Sequence, residues 1–312
     1  MDKLFLQDVL EGLSSQPKTL KSKYFYDDKG SQIFQQIMQL DSYYLTNCEF
    51  EIFQDQAAGI INKLNFNEPF NLIELGAGDG VKTSELIRYM LSKNIEFTYT
   101  PIDISSKANQ ILEDKLRADF PTLDIQPRTG DYFKILKELN NTNKPALLLF
   151  IGSNLGNYMP EGAQNLVALL SKYLKTNDKL LIGVDLKKNP LIVSKAYFDP
   201  EGVTKAFNIN LLNRINNELG GNFNLDKFDF YSFYNPQNGE VRSYIISLEK
   251  QKVNIGSTHE FKFEKGEDIW TELSKKYDLS ELDKLIEREK FELVHHFLDS
   301  RSYFTDSLYI KK

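Results

Sequence analysis

The stretch NLIELGAGDGVKTSELI (Asn71–Ile87) decides the fold. Apolar residues from Leu72 to Leu75 run into Gly76, Gly78 and Gly80, and helix-forming sequence follows from Thr83 to Ser92. A strand, a glycine-rich turn and a helix N-terminus offer unpaired backbone N–H groups to an anionic ligand. The segment therefore predicts a nucleotide cradle. Dinucleotide enzymes use G-x-G-x-x-G, whose third glycine lets the helix pack closely on the strand. Here the third position is Val81 and Gly80 comes one residue early, so the motif reads G-x-G-x-x-x-K-T, with Lys82 placed to meet a ligand carboxylate.

Working outward, strands and amphipathic helices alternate from about Ile52 to Leu186. Phe97–Ile104 predicts a second strand, Ser106–Ala118 a helix, and Ile125–Pro127 a short third strand. The uninterrupted apolar run Ala146–Ile151 reads as a central strand buried on both faces. A helix over Pro160–Leu174 and a strand over Lys179–Leu186 follow. This alternation predicts a parallel sheet with helices on both sides. The pattern then breaks. Val203–Leu219 is an Asn-rich helix, and Phe228–Tyr234 with Glu240–Leu248 form a hairpin around the turn Asn235–Gly239. A helix over Glu281–Lys290 and strands over Phe291–Leu298 and Asp306–Ile310 give the sheet an antiparallel ending. The expected organisation is one α/β domain (52–186 and 277–312), with a second domain built from an N-terminal helical arm (1–51) and an insertion (187–276).

Composition limits the function classes. With 41% hydrophobic residues the 312-residue chain can bury a full core without staples. Cys48 is the only cysteine, which fits a reducing, cytoplasmic setting. The N-terminal segment carries Lys3, Asp8 and Glu11 among its apolar residues, so neither a secretory signal nor a membrane span is expected. The longest strongly apolar run falls far below the roughly 20 residues that cross a bilayer. A formal charge of −6 argues against a nucleic-acid partner. A monomer with a small-molecule partner is the expectation.

Two acids extend the cradle. Asp103 ends the second strand, where a carboxylate can accept from both hydroxyls of a ribose; that feature suits NAD and S-adenosylmethionine alike. Asp131, in TGDYF, can accept from an adenine amine beside Tyr132. A glycine turn, an acid and then Gly-Asp-aromatic, ordered on successive strands, favour a nucleoside cofactor. Each of these alone also fits a purely structural role.

The sequence resembles the histidine-specific, S-adenosylmethionine-dependent methyltransferases, of the L-histidine Nα-methyltransferase type found in ergothioneine biosynthesis. The resemblance spans nearly the whole chain. It rests on KSKYFYDDKGSQIFQQIMQLDSYYLTNCE (Lys21–Glu49), the cradle above, FIGSNLGNYMPE (Phe150–Glu161), the blocks between Leu180 and Phe228, and GEDIWTELSKKY (Gly266–Tyr277). It implies a class I (Rossmann-like) methyltransferase sheet with a second, substrate-binding domain. It implies S-adenosyl-L-methionine as cofactor, S-adenosylhomocysteine as product, and methylation of the α-amine of histidine up to the trimethylated betaine. Carried over, the cofactor positions are Gly76, Gly78, Lys82, Asp103, Asp131, Tyr132 and Gly152. The substrate positions are Tyr43, Asn157, Tyr197, Glu272 and Ser274, with Asn157 and Tyr43 closest to the chemistry and Tyr26 and Phe34 lining the pocket.

Plainer roles stand beside these. Tyr26, Phe34 and Tyr197 fit core aromatics, Asn157 fits a helix N-cap, and Glu272 fits a solvated acid. His259, His295 and His296 show no metal-ligand spacing, so no metal is expected. One departure concerns selectivity: where the ergothioneine-type relatives carry a Met in the hairpin strand, this chain has Ser243, with Trp270 as a candidate to fill the freed volume. The alternatives to histidine are the same chemistry on another amino acid, such as an aromatic one, a silent ligand-binding relative, and a nicotinamide-dependent oxidoreductase. Val81 and the Asp131 motif speak against the last.

Overall fold

A computed structural model describes residues 3–139 and 144–312. The chain divides into two compact units, Met1–Tyr44 with Lys188–Lys275, and Leu45–Lys187 with Lys276–Lys312. The expected first boundary, 51/52, falls inside helix α1 (Tyr44–Asn62). An unbroken helix keeps its i→i−4 hydrogen bonds by staying with one body, and the units part at its first residue. Residues 1–2 of the expected arm and 140–143 of the expected α/β domain lie outside the described residues.

The unit from Leu45 onward is built on a seven-stranded sheet: β1 (Phe70–Leu75), β2 (Phe97–Asp103), β3 (Arg128–Thr129), β4 (Ala146–Phe150), β5 (Lys179–Asp185), β6 (Phe291–Leu298) and β7 (Phe304–Lys311). Its order is β3-β2-β1-β4-β5-β7-β6. The first five strands run parallel, while β7 pairs antiparallel with both β5 and β6. The expected parallel sheet with an antiparallel ending is therefore what forms. Every residue of β4 and β5 is buried, as their apolar runs require for strands covered on both faces. The covering helices include α2 (Val81–Ser92), α3 (Ser106–Asp119), α4 (Tyr132–Leu139), α5 (Pro160–Tyr173) and α6 (Leu279–Glu287).

Two local readings are corrected. The third strand is Arg128–Thr129 rather than Ile125–Pro127; Ile125 makes only an isolated bridge to Tyr99. At this sheet edge, few residues pair and their side chains carry no alternation to read. Helix α4 was not expected; Asp131 accepts from the Lys134 N–H at 3.1 Å and so opens it. Gly80, the glycine that came one residue early, caps α2 at φ +66°. A Cβ there would collide with Leu112 of α3, so Gly80 supplies the close packing that a third glycine gives in dinucleotide folds.

The other unit packs helices Lys3–Ser14, Asp28–Met38, Pro190–Tyr197 and Val203–Leu219 with a four-stranded sheet. That sheet runs in the order Lys18–Thr19, Asp268–Lys275, Glu240–Ser247, Phe228–Asn235. Its core joins Phe5, Phe25, Phe207, Leu211, Ile245 and Ile269, all buried. The helix Val203–Leu219 has its expected limits because Gly202 and Gly220, both left-handed, flank it.

Candidate active site

In the seven-stranded sheet the strand order reverses between β1 and β4, which is where open α/β sheets bind ligands beyond their strands' carboxyl ends. Gly76 and Gly78 follow β1 directly, and Gly152 lies just past β4. All three glycines have positive φ, 72°, 58° and 79°. Ser153 continues the turn at φ +58° although it is not glycine. Its hydroxyl accepts the Asp185 N–H at 3.2 Å, which holds the turn.

The acidic positions converge on the same end. Asp103 ends β2, and its carboxylate accepts the Ser105 N–H at 2.8 Å. Burial raises its pKa against the pull of the Ser105 and Ile104 N–H groups. Tyr132 opens α4, and its hydroxyl is pushed up to about 12 by burial first, then by Asp103, Tyr158 and Asp131. The same hydroxyl lies 3.3 Å from where a Cβ on Gly76 would sit. Gly76, Asp103 and Asp131 therefore all lie near Tyr132, joined by Tyr158, which the sequence did not single out. These residues fit a nucleoside: backbone open for close approach, with carboxylates for hydroxyl and amine donors.

Lys82, in the first turn of α2, does not stand open to a ligand carboxylate. It pairs with Glu49 of α1, and Glu49 also accepts the Gly152 N–H at 2.6 Å. Burial works most strongly against the lysine's charge, yet Glu49, Asp306 and Glu74 outweigh it and its pKa is raised. Glu49 lies in a block that carries the family resemblance, and its composition alone assigned it no role.

In the other unit a second group of expected residues comes together. Tyr197 and Ser274 are buried and share a hydroxyl–hydroxyl hydrogen bond of 2.8 Å. Tyr26 touches Phe34 edge-on at 5.5 Å between ring centres, and Tyr43 meets Phe34 at 6.4 Å and Tyr197 at 6.2 Å. Phe207, not anticipated, contacts both Tyr26 and Phe34. Tyr26 is no core aromatic, being 48% exposed. Its hydroxyl end is enclosed all the same and is pushed above the ordinary phenol value, by burial first and then by Glu272 and Tyr197. Glu272 and Tyr197 thus both lie near the Tyr26 hydroxyl, and Tyr197 is bonded to Ser274.

Register settles the question of Trp270. Trp270 pairs with Tyr244 and Glu272 with Ser243, so Thr271 is an extra residue, a β-bulge. The bulge breaks the two-residue alternation and puts Trp270 and Glu272 on opposite faces. The Arg242 guanidinium covers the Trp270 ring at 5.3 Å on that opposite face. Trp270 therefore does not fill volume beside Glu272, and Ser243, directly across from Glu272, shares its face. Asn157 ends a short 3-10 helix, is exposed, and does not cap α5, whose N-cap is Met159. His296 bonds Ser307 at 2.8 Å, and His295 packs on Phe297. Among the described residues no group of histidine, cysteine and acidic side chains is arranged to hold a metal.

Strand order, glycine turn and convergent acids define a class I methyltransferase. A mitomycin 7-O-methyltransferase structure matches with a TM-score of 0.51 at 11% identity, covering 93% of this chain and 59% of that one, which bears on fold alone. The chain belongs to the histidine-specific, S-adenosylmethionine-dependent methyltransferase family, whose model matches residues 5–311. The histidine N-alpha-methyltransferase of Mycolicibacterium smegmatis is 32% identical over 272 residues, 87% of this chain and 84% of that protein. That of Mycobacterium tuberculosis is 30% identical over the same length and coverage. Among the described residues no helix is long and apolar enough to cross a membrane.

Proposed function

We propose that this protein methylates the α-amino group of L-histidine, with the unit of Met1–Tyr44 and Lys188–Lys275 binding the amino acid and the other unit binding the cofactor. The observation that carries the choice of histidine is the pairing of Glu272 with Ser274 on one strand, Glu272 near Tyr26 and Ser274 bonded to Tyr197. An acceptor and a hydroxyl set one repeat apart match the two ring nitrogens of an imidazole. An aliphatic or phenyl side chain offers neither group the hydrogen bond that an imidazole nitrogen would, and a site built for such bonds discriminates against analogues lacking them.

S-adenosylmethionine supplies, when bound, a methyl group on a positively charged sulfur. This chain's residues must then present a neutral amine in line with that methyl, a positioning task. The free α-amine has a pKa of roughly 8 and is mostly protonated at neutral pH. A carboxylate beside it holds the proton on, whereas the neutral amide of Asn157 accepts from the amine without that effect. Tyr43 and Tyr197 hold the substrate's carboxylate or amine through their hydroxyls. Gly76, Gly78 and Gly152 let backbone N–H groups approach the cofactor, Lys82, held by Glu49, stands behind the Gly152 turn, Asp103 takes the ribose hydroxyls, and Asp131 with Tyr132 takes the adenine. The reading includes a cytoplasmic monomer, in keeping with Cys48, which is buried and accepts from Arg301 at 3.1 Å.

A competition assay with equimolar amino acids, read by mass spectrometry, tests the substrate. Histidine is expected to be methylated first, and a preference for an aromatic or aliphatic amino acid overturns the choice. For the cofactor, Asp103→Ala is expected to weaken S-adenosylhomocysteine binding by about 1–2 kcal/mol or more, since buried hydroxyls lose their acceptor. Calorimetry on the folded variant decides it; unchanged affinity removes Asp103 from the site.

A further inference from the structure

Glu49, Lys82, Glu74 and Asp306 crowd one buried place in the seven-stranded unit. Glu49, Glu74 and Asp306 are 1%, 2% and 0% exposed, and Lys82 is the cation they share. The Tyr99 hydroxyl donates to Glu74 at 2.5 Å. Burial pushes Glu74 up to about 7, against Tyr99 and Lys82.

Asp306 is the anomaly. Neither of its carboxyl oxygens receives a hydrogen bond from the described residues. A bare carboxylate in such a place costs several kcal/mol, and the group keeps a proton instead. Burial first, and Glu49 next, drive it that way, with only Lys82 opposing. Its cross-strand neighbour is Gly183 of β5. A Cβ on Gly183 would collide with both Glu49 Oε1 and Asp306 Oδ1. A glycine inside a strand weakens it, and here the vacated space holds the two carboxyl oxygens together.

We propose that Glu49 is a positioning residue for the cofactor site, held in place by one proton that it shares with Asp306. Asp306 donates that proton to Glu49. Glu49 in turn accepts the Gly152 N–H past β4 and pairs with Lys82 in the first turn after the β1 glycines. It thus ties together the two turns on either side of the strand-order reversal, and it sets where the Lys82 charge and the Gly152 turn lie. The inference rests on the cofactor assignment of those turns under the proposed function.

The sign of the pH dependence follows. A carboxyl whose pKa is raised in the folded protein keeps its proton below that raised value and loses it as pH rises through it. Above it, Glu49 and Asp306 repel each other over Gly183 and the tie loosens. Calorimetric titration of S-adenosylhomocysteine into the full chain, across the pH range in which the protein stays folded, is expected to show affinity falling about tenfold as pH rises, the size of one lost charge-assisted hydrogen bond. Asp306→Asn, whose amide donates to Glu49 at every pH, is expected to remove that extra fall. Titration of the ligand's own amine is common to both proteins and cancels in the comparison. Glu49→Gln, of the same shape, is expected to bind about tenfold more weakly at neutral pH, and it decides the matter should Asp306→Asn fail to fold. A parent profile identical to that of Asp306→Asn, or Glu49→Gln binding as tightly as the parent, overturns the proposal. A parent that does not bind S-adenosylhomocysteine at all overturns the cofactor reading instead.

Discussion

Asn157→Asp is expected to fold and to bind cofactor as the parent does, yet to methylate histidine about 10 to 10³ times more slowly at pH 7. A carboxylate within hydrogen-bonding reach of an amine raises the amine's pKa by roughly 1–3 units. Each unit removes about nine-tenths of the remaining neutral amine at a pH below that value. The sign is fixed by which form reacts: only the unprotonated nitrogen attacks, so the rate recovers as pH rises through the raised value. Single-turnover methylation followed by mass spectrometry across that range checks both the loss and the recovery. A variant that turns over at the parent rate at pH 7 removes Asn157 as the amine's partner. Asn157 is exposed and does not cap the neighbouring helix, so the substitution is expected to leave stability nearly unchanged.

Glu272→Ala acts on selection rather than on the attacking nitrogen. Hydrogen bonds to charged groups contribute about 1.5–3 kcal/mol, so kcat/KM for histidine is expected to fall by roughly 10- to 150-fold. Phenylalanine never makes that bond, and its far lower kcat/KM should change little. The ratio of the two therefore collapses in the variant. Sites built to hydrogen-bond a substrate group discriminate strongly against analogues lacking it, whereas an apolar wall contributes about 1–3 kcal/mol. Ser243, across the sheet from Glu272, is therefore expected to tune the preference rather than create it. Competition assays on parent and variant, together with a cofactor titration, separate these effects. Equal losses for histidine and phenylalanine assign Glu272 to folding instead of recognition.

The strand–helix alternation around Asn71–Ile87 was legible because hydrophobic patterning is local. β4 is apolar throughout since both its faces are covered, and Val203–Leu219 ends where its flanking glycines turn left-handed. The convergence of the two acids was legible for a related reason: in a parallel sheet, residues that follow successive strands arrive at the same end whatever the intervening helices do. Asp103 and Asp131 meet Tyr132 on that ground alone.

Only the tertiary structure decided the rest, because it depends on pairings that local pattern does not encode. One inserted residue, Thr271, sends Trp270 to the far face from Glu272, and a bulge shows itself only against the partner strand's register. The pairing of Lys82 with Glu49 rather than with an open site needs a helix that precedes the sheet and a turn 33 residues further on. Gly183 reads in sequence as a weak point in an apolar strand. Its purpose appears only when Asp306, from the last strand, is set beside it and Glu49 comes down from a helix to fill the same space.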